Sequence, residues 1–333
     1  MRNSIYKIVF FIYALSLSVG LNSCKEKKKP VSEKIENKPS IPTPVFNEDS
    51  AYEYVAKQVK FGPRVPNTAP HVKCGDYLIA ELKRNGAKVT IQEFEAKAFN
   101  GKSLRLRNII GSFNEGASKR LLFAAHWDTR PFADKDITQK DVPIDGANDG
   151  ASGVGILLEI ARVVNAAKKP SVGLDIIFFD GEDYGQPNNS SQNYATDSWC
   201  LGSQYWAKNK HLPQYNAYYG ILLDMVGAAN AKFALEGTSM HYAPDVTRKV
   251  WETGAQLGYS SNFIFQEVGG ITDDHTYINQ IAKIPMLDII EYDNSGDDFF
   301  GSYHHTHKDN ISIIDRKTLK AVGQTILEVL YKE

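Results

Sequence analysis

LDIIFF (residues 174–179) and YGILLDMV (residues 219–226) are near-continuous apolar runs of strand length. A strand with one wet face alternates apolar and polar residues. A run without alternation belongs to a strand covered on both faces, as parallel strands usually are. Outward from these, residues 121–125 and 285–290 repeat the pattern, and residues 88–94 and 103–111 alternate. Helical periodicity marks residues 50–59, 71–85, 152–166, 243–257 and 315–331, with Phe61-Gly-Pro-Arg-Val-Pro-Asn67 breaking the first two apart. Helices interleaved with buried strands, and no second linker, predict a single α/β domain with helices on both sides of a central sheet.

Composition agrees. The chain has 333 residues, 42% apolar and 23% charged, ordinary globular proportions that exclude a disordered tail protein and a multi-span membrane protein. Lys+Arg is 38 against Asp+Glu 39, so the basic excess of a nucleic-acid binder is absent. Before the domain, Arg2 and Lys7 precede an apolar run over 8–21, followed by Leu21-Asn22-Ser23-Cys24. This reads as a lipoprotein signal peptide over 1–23, with Cys24 lipidated as the mature N-terminus. The Lys-, Glu- and Pro-rich stretch that follows reads as a solvated tether, giving residues 24–48 as anchor and tether and 49–333 as the domain. The expected location is the cell envelope, as an exported bacterial lipoprotein facing the periplasm and touching membrane only through its lipid. In such an oxidising compartment Cys74 and Cys200 either pair or remain two buried thiols.

Candidate chemistry collects just after strands, where open α/β sheets hold their ligands. Residues 121–125 deliver His126 and Asp128, and an i, i+2 pair can face one way in extended chain. Asp128 would then orient His126. Asn148-Asp149-Gly150 precedes a helix, so Asp149 is either a capping residue or a metal-bridging carboxylate. Glu182 and Asp183 follow the 174–179 run. They form an acidic turn, or a proton shuttle beside a metal ligand. Asp224 is an acid inside an apolar strand, uncommon without a partner. Tyr303-His304-His305-Thr306-His307 places three of eight histidines within four residues, which points to a metal ligand.

In this order, His126, Asp149, Glu182-Asp183, Asp224 and His305 resemble the zinc aminopeptidases and the related glutaminyl cyclases, over residues from about 50 to 333. The resemblance implies one domain with a mixed, mostly parallel sheet. It implies Asp149 as a bridge between two zincs in the aminopeptidases, with His126 and Asp224 on one metal and Asp183 and His305 on the other. Glu182 matches the general base. Thr272-Asp273-Asp274-His275, Asp297-Asp298-Phe299-Phe300 and Trp199-Cys200-Leu201-Gly202-Ser203 look like the cyclase branch. There one zinc, held by Asp149, Asp183 and His305, would serve a peptide or protein substrate with N-terminal Gln. Glu182, Asp224 and Asp273 would be catalytic and joined by hydrogen bonds. Trp199, Phe300 and His304 would line the pocket, with His126 and Asp128 as supports or second-metal ligands. Two departures stand out. His304 occupies a position where cyclases often carry Trp, and Asp183 one where many relatives have Glu. A two-zinc aminopeptidase is the alternative on the same ligand list.

Overall fold

The computed structural model describes residues 41–187, 195, 197–293 and 299–333. The expected signal peptide over 1–23, Cys24, the tether as far as residue 40, and Asp297 and Asp298 lie outside them. Six strands form the main sheet: β1 (Lys88–Lys97), β2 (Ser103–Phe113), β3 (Arg120–His126), β4 (Gly173–Phe179), β5 (Tyr219–Asp224) and β8 (Met286–Ile290). Their spatial order is β1-β2-β4-β3-β5-β8. The pairs β4–β3, β3–β5 and β5–β8 are parallel, while β1–β2 and β2–β4 are antiparallel. The expected mixed, mostly parallel sheet is what forms. All residues of β4 and β5 are buried, so the runs without alternation do mark strands covered on both faces.

One face of the sheet is covered by α1 (Glu48–Val59), α3 (Ala151–Ala166) and α8 (Arg316–Lys332). Their core includes Val55, Leu157, Ile221, Leu287 and Val322. The other face packs Trp206 of α4 (Leu201–Lys208), Ile278 and Met286 against Phe179 and Leu222. α3 lies almost on the sheet: a Cβ on Gly153 would stand 2.4 Å from the Leu223 carbonyl oxygen. α2 (Ala69–Arg84) is capped by Thr68 with Pro70 in its first turn.

The domain starts earlier than residue 49. Phe46 is fully buried, its N–H donates to Gln324 of α8 at 2.9 Å, and Asn47 caps α1. A single Phe within a polar, Pro-rich stretch carries little periodic signal, so the tether reading ran too far. The remaining elements include the longer α6 (Pro244–Gln256) and the short α5 (Gly237–Tyr242), α7 (Asp274–Tyr277) and side pair β6 (Phe233–Leu235) and β7 (Phe263–Glu267). Of these the sequence marked only α6. Three- to six-residue elements span too few positions for a period to repeat. Cys74 and Cys200 are both free and buried, which settles the open pairing as two thiols. Among the described residues no helix is long and apolar enough to cross a membrane.

From β3 the chain turns to β4 on one side and later to β5 on the other. This puts a topological switch point at the carboxyl end of β3, the place where open α/β sheets form their ligand crevice. The break at 61–67 serves that crevice. Arg64 is fully buried and donates to the carbonyl oxygens of Trp127, Asp145 and Gly146, clamping the long loop that delivers Asp149.

Candidate active site and metal centre

β3 ends on His126, β5 ends on Asp224, and Gly150 at the start of α3 sits directly against the His126 ring. Gly150 has φ +66°, and a Cβ there would approach the ring to 2.8 Å, so both backbone and space call for glycine. Asp149 just before it is held by Asp309, whose carboxylate accepts the N–H of Asn148 at 2.7 Å and of Asp149 at 3.1 Å. Asp149 is therefore not the helix cap, and its side chain is free to face the crevice. Beyond β4, the turn carrying Glu182 and Asp183 is pinned from below. Asp128 accepts the N–H of Glu182 at 3.1 Å and of Asp183 at 3.3 Å. Its expected partner His126 is farther, 3.6 Å at Nδ1. Asp128 thus supports both, chiefly the acidic turn.

Two groups of ligand atoms result, sharing Asp149. In the first, His305 Nε2 lies 3.3 Å from Asp183 Oδ1 and 3.6 Å from Asp149 Oδ2. In the second, His126 Nε2 lies 3.0 Å from Asp149 Oδ1 and 3.2 Å from Asp224 Oδ1. Ligands about 2.0–2.2 Å from a tetrahedral zinc stand roughly 3.3 Å apart. Asp149 with His304 and His305, and His126 with Asp149 and Asp224, are each close enough together to share an ion, and Asp183 adjoins the first group through His305.

Hydrogen bonding separates them. Both Asp183 oxygens are buried without a hydrogen-bond partner. Burial, and then the charge of Asp149, push the Asp183 carboxyl well above its usual range, while burial and neighbouring His304 hold His305 well below, as neutral imidazole. An orphaned carboxylate beside an unprotonated imidazole is a donor set that fits a divalent cation. At the second place, burial would lower the His126 pKa. The carboxylates of Asp128, Asp149 and Asp224 outweigh it and keep the ring protonated. Its own charge then serves Asp149 and Asp224.

His304 is also close enough to Asp149 and His305 to compete for the ion. Lys135 Nζ donates to its Nδ1 at 2.9 Å. A neutral ring that accepts at Nδ1 carries its proton on Nε2 and has no lone pair left for a metal. Among the described residues His305 has no such donor. Its Nδ1 faces Asp134 Oδ1 at 3.7 Å, a carboxylate behind a ligating imidazole. Arg130 is buried beneath the site. It donates to the carboxylate of Asp134 and to the backbone oxygen of Asp183, and lies 3.5 Å from Asp183 Oδ1.

Glu182 sits beside this centre, and its Oε1 accepts from Cys200 Sγ at 3.3 Å. Burial raises its carboxyl pKa well above the usual range; Asp273 and Asp183 add to this and His126 opposes it. The expected hydrogen-bonded ring of Glu182, Asp224 and Asp273 is corrected. Asp224 turns to His126, with its pKa pushed up to about 7 by burial, and Asp273 lies beside Asp288 and His275, its Oδ1 accepting the N–H of Asp274. The acids crowd Glu182 by charge, and Cys200 lies between it and Asp273. The residues expected to line a pocket lie against the two histidines. The Trp199 ring stacks on His305 at 5.8 Å between centroids, and Phe300 meets His304 edge-on at 4.5 Å.

Sequence reading missed Arg130, Asp134, Lys135 and Asp288. Asp288 carried the same signal as Asp224, an acid inside an apolar strand. Behind it, His275 lies 3.8 Å from Asp288 and donates through Nε2 to Glu236 at 3.2 Å. Glu236 also accepts the N–H groups of Thr238, Ser239 and Ile271. Burial would raise its pKa, but the His275 contact and these amides carry it down to about 2 from an ordinary 4.5. A carboxylate lowered in this way contributes stability above pH 4.5 and loses it as pH falls through 2. Glu236→Gln is therefore expected to lower Tm at pH 7, with the gap to wild type closing below pH 4.5 in thermal melts across pH.

The peptidase family M28 model matches residues 108–330, and the chain belongs to that family. More particularly, it is 54% identical to the glutaminyl cyclase of Tannerella forsythia, with 87% of this chain and 100% of that one covered at a TM-score of 0.85. It is 55% identical to a zinc-dependent exopeptidase of Parabacteroides distasonis, covering 88% and 100% at a TM-score of 0.86. Among curated proteins it is 25% identical to the glutaminyl-peptide cyclotransferase of Drosophila melanogaster, over 77% of this chain and 73% of that enzyme.

Proposed function

We propose that this chain is a glutaminyl-peptide cyclotransferase, closing the N-terminal Gln of peptides and proteins to pyroglutamate with release of ammonia. The observation that carries the choice over a two-zinc aminopeptidase is the contrast between the two ligand groups. Asp183 and His305 need a cation, whereas His126 already satisfies Asp149 and Asp224. This supports one zinc per chain, held by Asp149, Asp183 and His305, with a fourth position open to substrate.

Bound there, zinc supplies Lewis acidity for the γ-carbonyl oxygen of the substrate. The substrate's α-amine attacks its own γ-carbon, so no water has to be activated. A C–N bond forms to the α-nitrogen and the C–N bond to the amide nitrogen breaks. Glu182 accepts the proton lost by the amine and returns it to the leaving nitrogen, which departs as ammonia. A carboxyl whose pKa is raised by burial and by Asp273 is suited to holding that proton between the two steps. Trp199, Phe300 and His304 form walls that hold the side chain folded toward its amine and keep water out. The deciding assay measures ammonia from Gln-peptides against free amino acids from aminoacyl amides. Amino acid release from the aminoacyl amides, with no ammonia from the Gln-peptides, would establish the aminopeptidase.

We also propose export as a lipoprotein, resting on the charged start, the apolar run and the Leu21–Cys24 motif. Cys24→Ala is expected to move the protein from the membrane fraction to the soluble fraction and to abolish labelling by a radioactive fatty acid.

A further inference from the structure

We propose that Cys200 is a positioning residue for the catalytic acid. Its thiol fixes Glu182 by donating Sγ–H to Oε1, which leaves Oε2 to meet the substrate's amine. The inference rests on the role given to Glu182 above.

Two independent observations carry it. The first is the contact itself. Sγ is 3.3 Å from Glu182 Oε1 and 4.0 Å from Asp273 Oδ1, and all three side chains are buried. Among the described residues, this thiol is the side chain that donates a hydrogen bond to the Glu182 carboxylate. The second is backbone strain. Cys200 has φ +57°, in the left-handed region where a side chain is disfavoured and glycine is at ease. The local structure needs nothing from the side chain. The Cys200 N–H donates to the Glu182 carbonyl at 2.9 Å, and its own carbonyl accepts from Gln204 and Ser203. Glycine would make those same bonds without strain. A side chain kept in a strained position, and aimed at the reacting carboxylate, is the pattern of a functional constraint.

A thiol donates weakly but does donate, and a serine hydroxyl in its place would make the same bond. Burial and the surrounding acids push the Cys200 thiol itself well above its usual range, so it stays protonated and can donate.

The test uses Cys200→Ala, Cys200→Gly and Cys200→Ser in the full chain, with kcat and KM on a Gln-peptide, zinc content and Tm. Ala and Gly are expected to lower kcat roughly tenfold, the size of a typical lost hydrogen bond, with KM and zinc unchanged. Ser is expected to recover most of the loss. Gly, which relieves the strain, is expected to be as inactive as Ala even where its Tm is no lower. In a Glu182→Gln background, Cys200→Ala is expected to add nothing, because the thiol acts only through that carboxylate. A merely structural role would cost the same in both backgrounds, and that result overturns the proposal. So does an Ala variant with wild-type kcat. The functional reading is judged separately, on wild type. If wild type releases no ammonia from Gln-peptides, that reading fails, and the thiol is then assayed in whatever reaction wild type performs through Glu182.

Discussion

Glu182→Gln is expected to abolish nearly all turnover while leaving fold and metal intact. General acid–base catalysis is typically worth ~10²–10⁴-fold, and here one carboxyl both takes the proton from the amine and gives it to the leaving nitrogen. Glutamine has the same shape and still accepts from Cys200, but it cannot carry a proton between two sites. Stability is expected to hold or rise. Glu182 is buried among Asp183, Asp273 and Asp274, and burial alone already opposes its charge. Replacing a penalised carboxylate with a neutral amide removes that penalty. The checks are ammonia release under saturating Gln-peptide, zinc per chain and Tm. Wild-type turnover in a folded, zinc-loaded variant would remove Glu182 from the mechanism.

The contrast between what was legible and what was not has a physical basis. β4 and β5 were readable because burial on both faces leaves a near-continuous apolar run, and few other environments do so over six residues. The residues at their ends were readable because acids and histidines are costly there unless they serve something. Arg130, Asp134 and Lys135 were not, because they lie in the polar loop after β3, where charge is ordinary and only folding shows that Arg130 is fully buried. Their roles depend on distances to His304, His305 and Asp183, far off in sequence. The expected bonds among Glu182, Asp224 and Asp273 went wrong for a similar reason. The family resemblance groups the three acids around one site, but which acid faces which is decided by strand order. The order β3-β5-β8 puts Asp224 beside His126 and brings Asp288 up to Asp273. Asp288 itself was available to sequence reasoning through the rule that singled out Asp224.

Metal stoichiometry separates the two readings of the ligand list most sharply. One zinc per chain is expected to survive dialysis, and His305→Ala is expected to lose it. That substitution removes the neutral imidazole and leaves two carboxylates, Asp149 and Asp183, where three protein ligands and an open position make a catalytic site. It also strips the support behind the ligand, since Asp134 would face an empty space where Nδ1 had been. His304 cannot take over while Lys135 holds its Nδ1, so zinc is expected to fall toward zero rather than shift one residue along the chain. His126→Ala is expected to behave differently. The protonated ring is a counter-ion to Asp149 and Asp224, so its loss weakens the arrangement of these acids and lowers activity modestly, with zinc content unchanged. The two-zinc alternative gives the opposite pattern. There His126 is a ligand, wild type holds two equivalents after dialysis, and His126→Ala drops to one. Measuring zinc by atomic emission on the dialysed wild type and both variants distinguishes the two outcomes without an activity assay, because a histidine that ligates takes its metal with it when removed and a histidine that only balances charge does not.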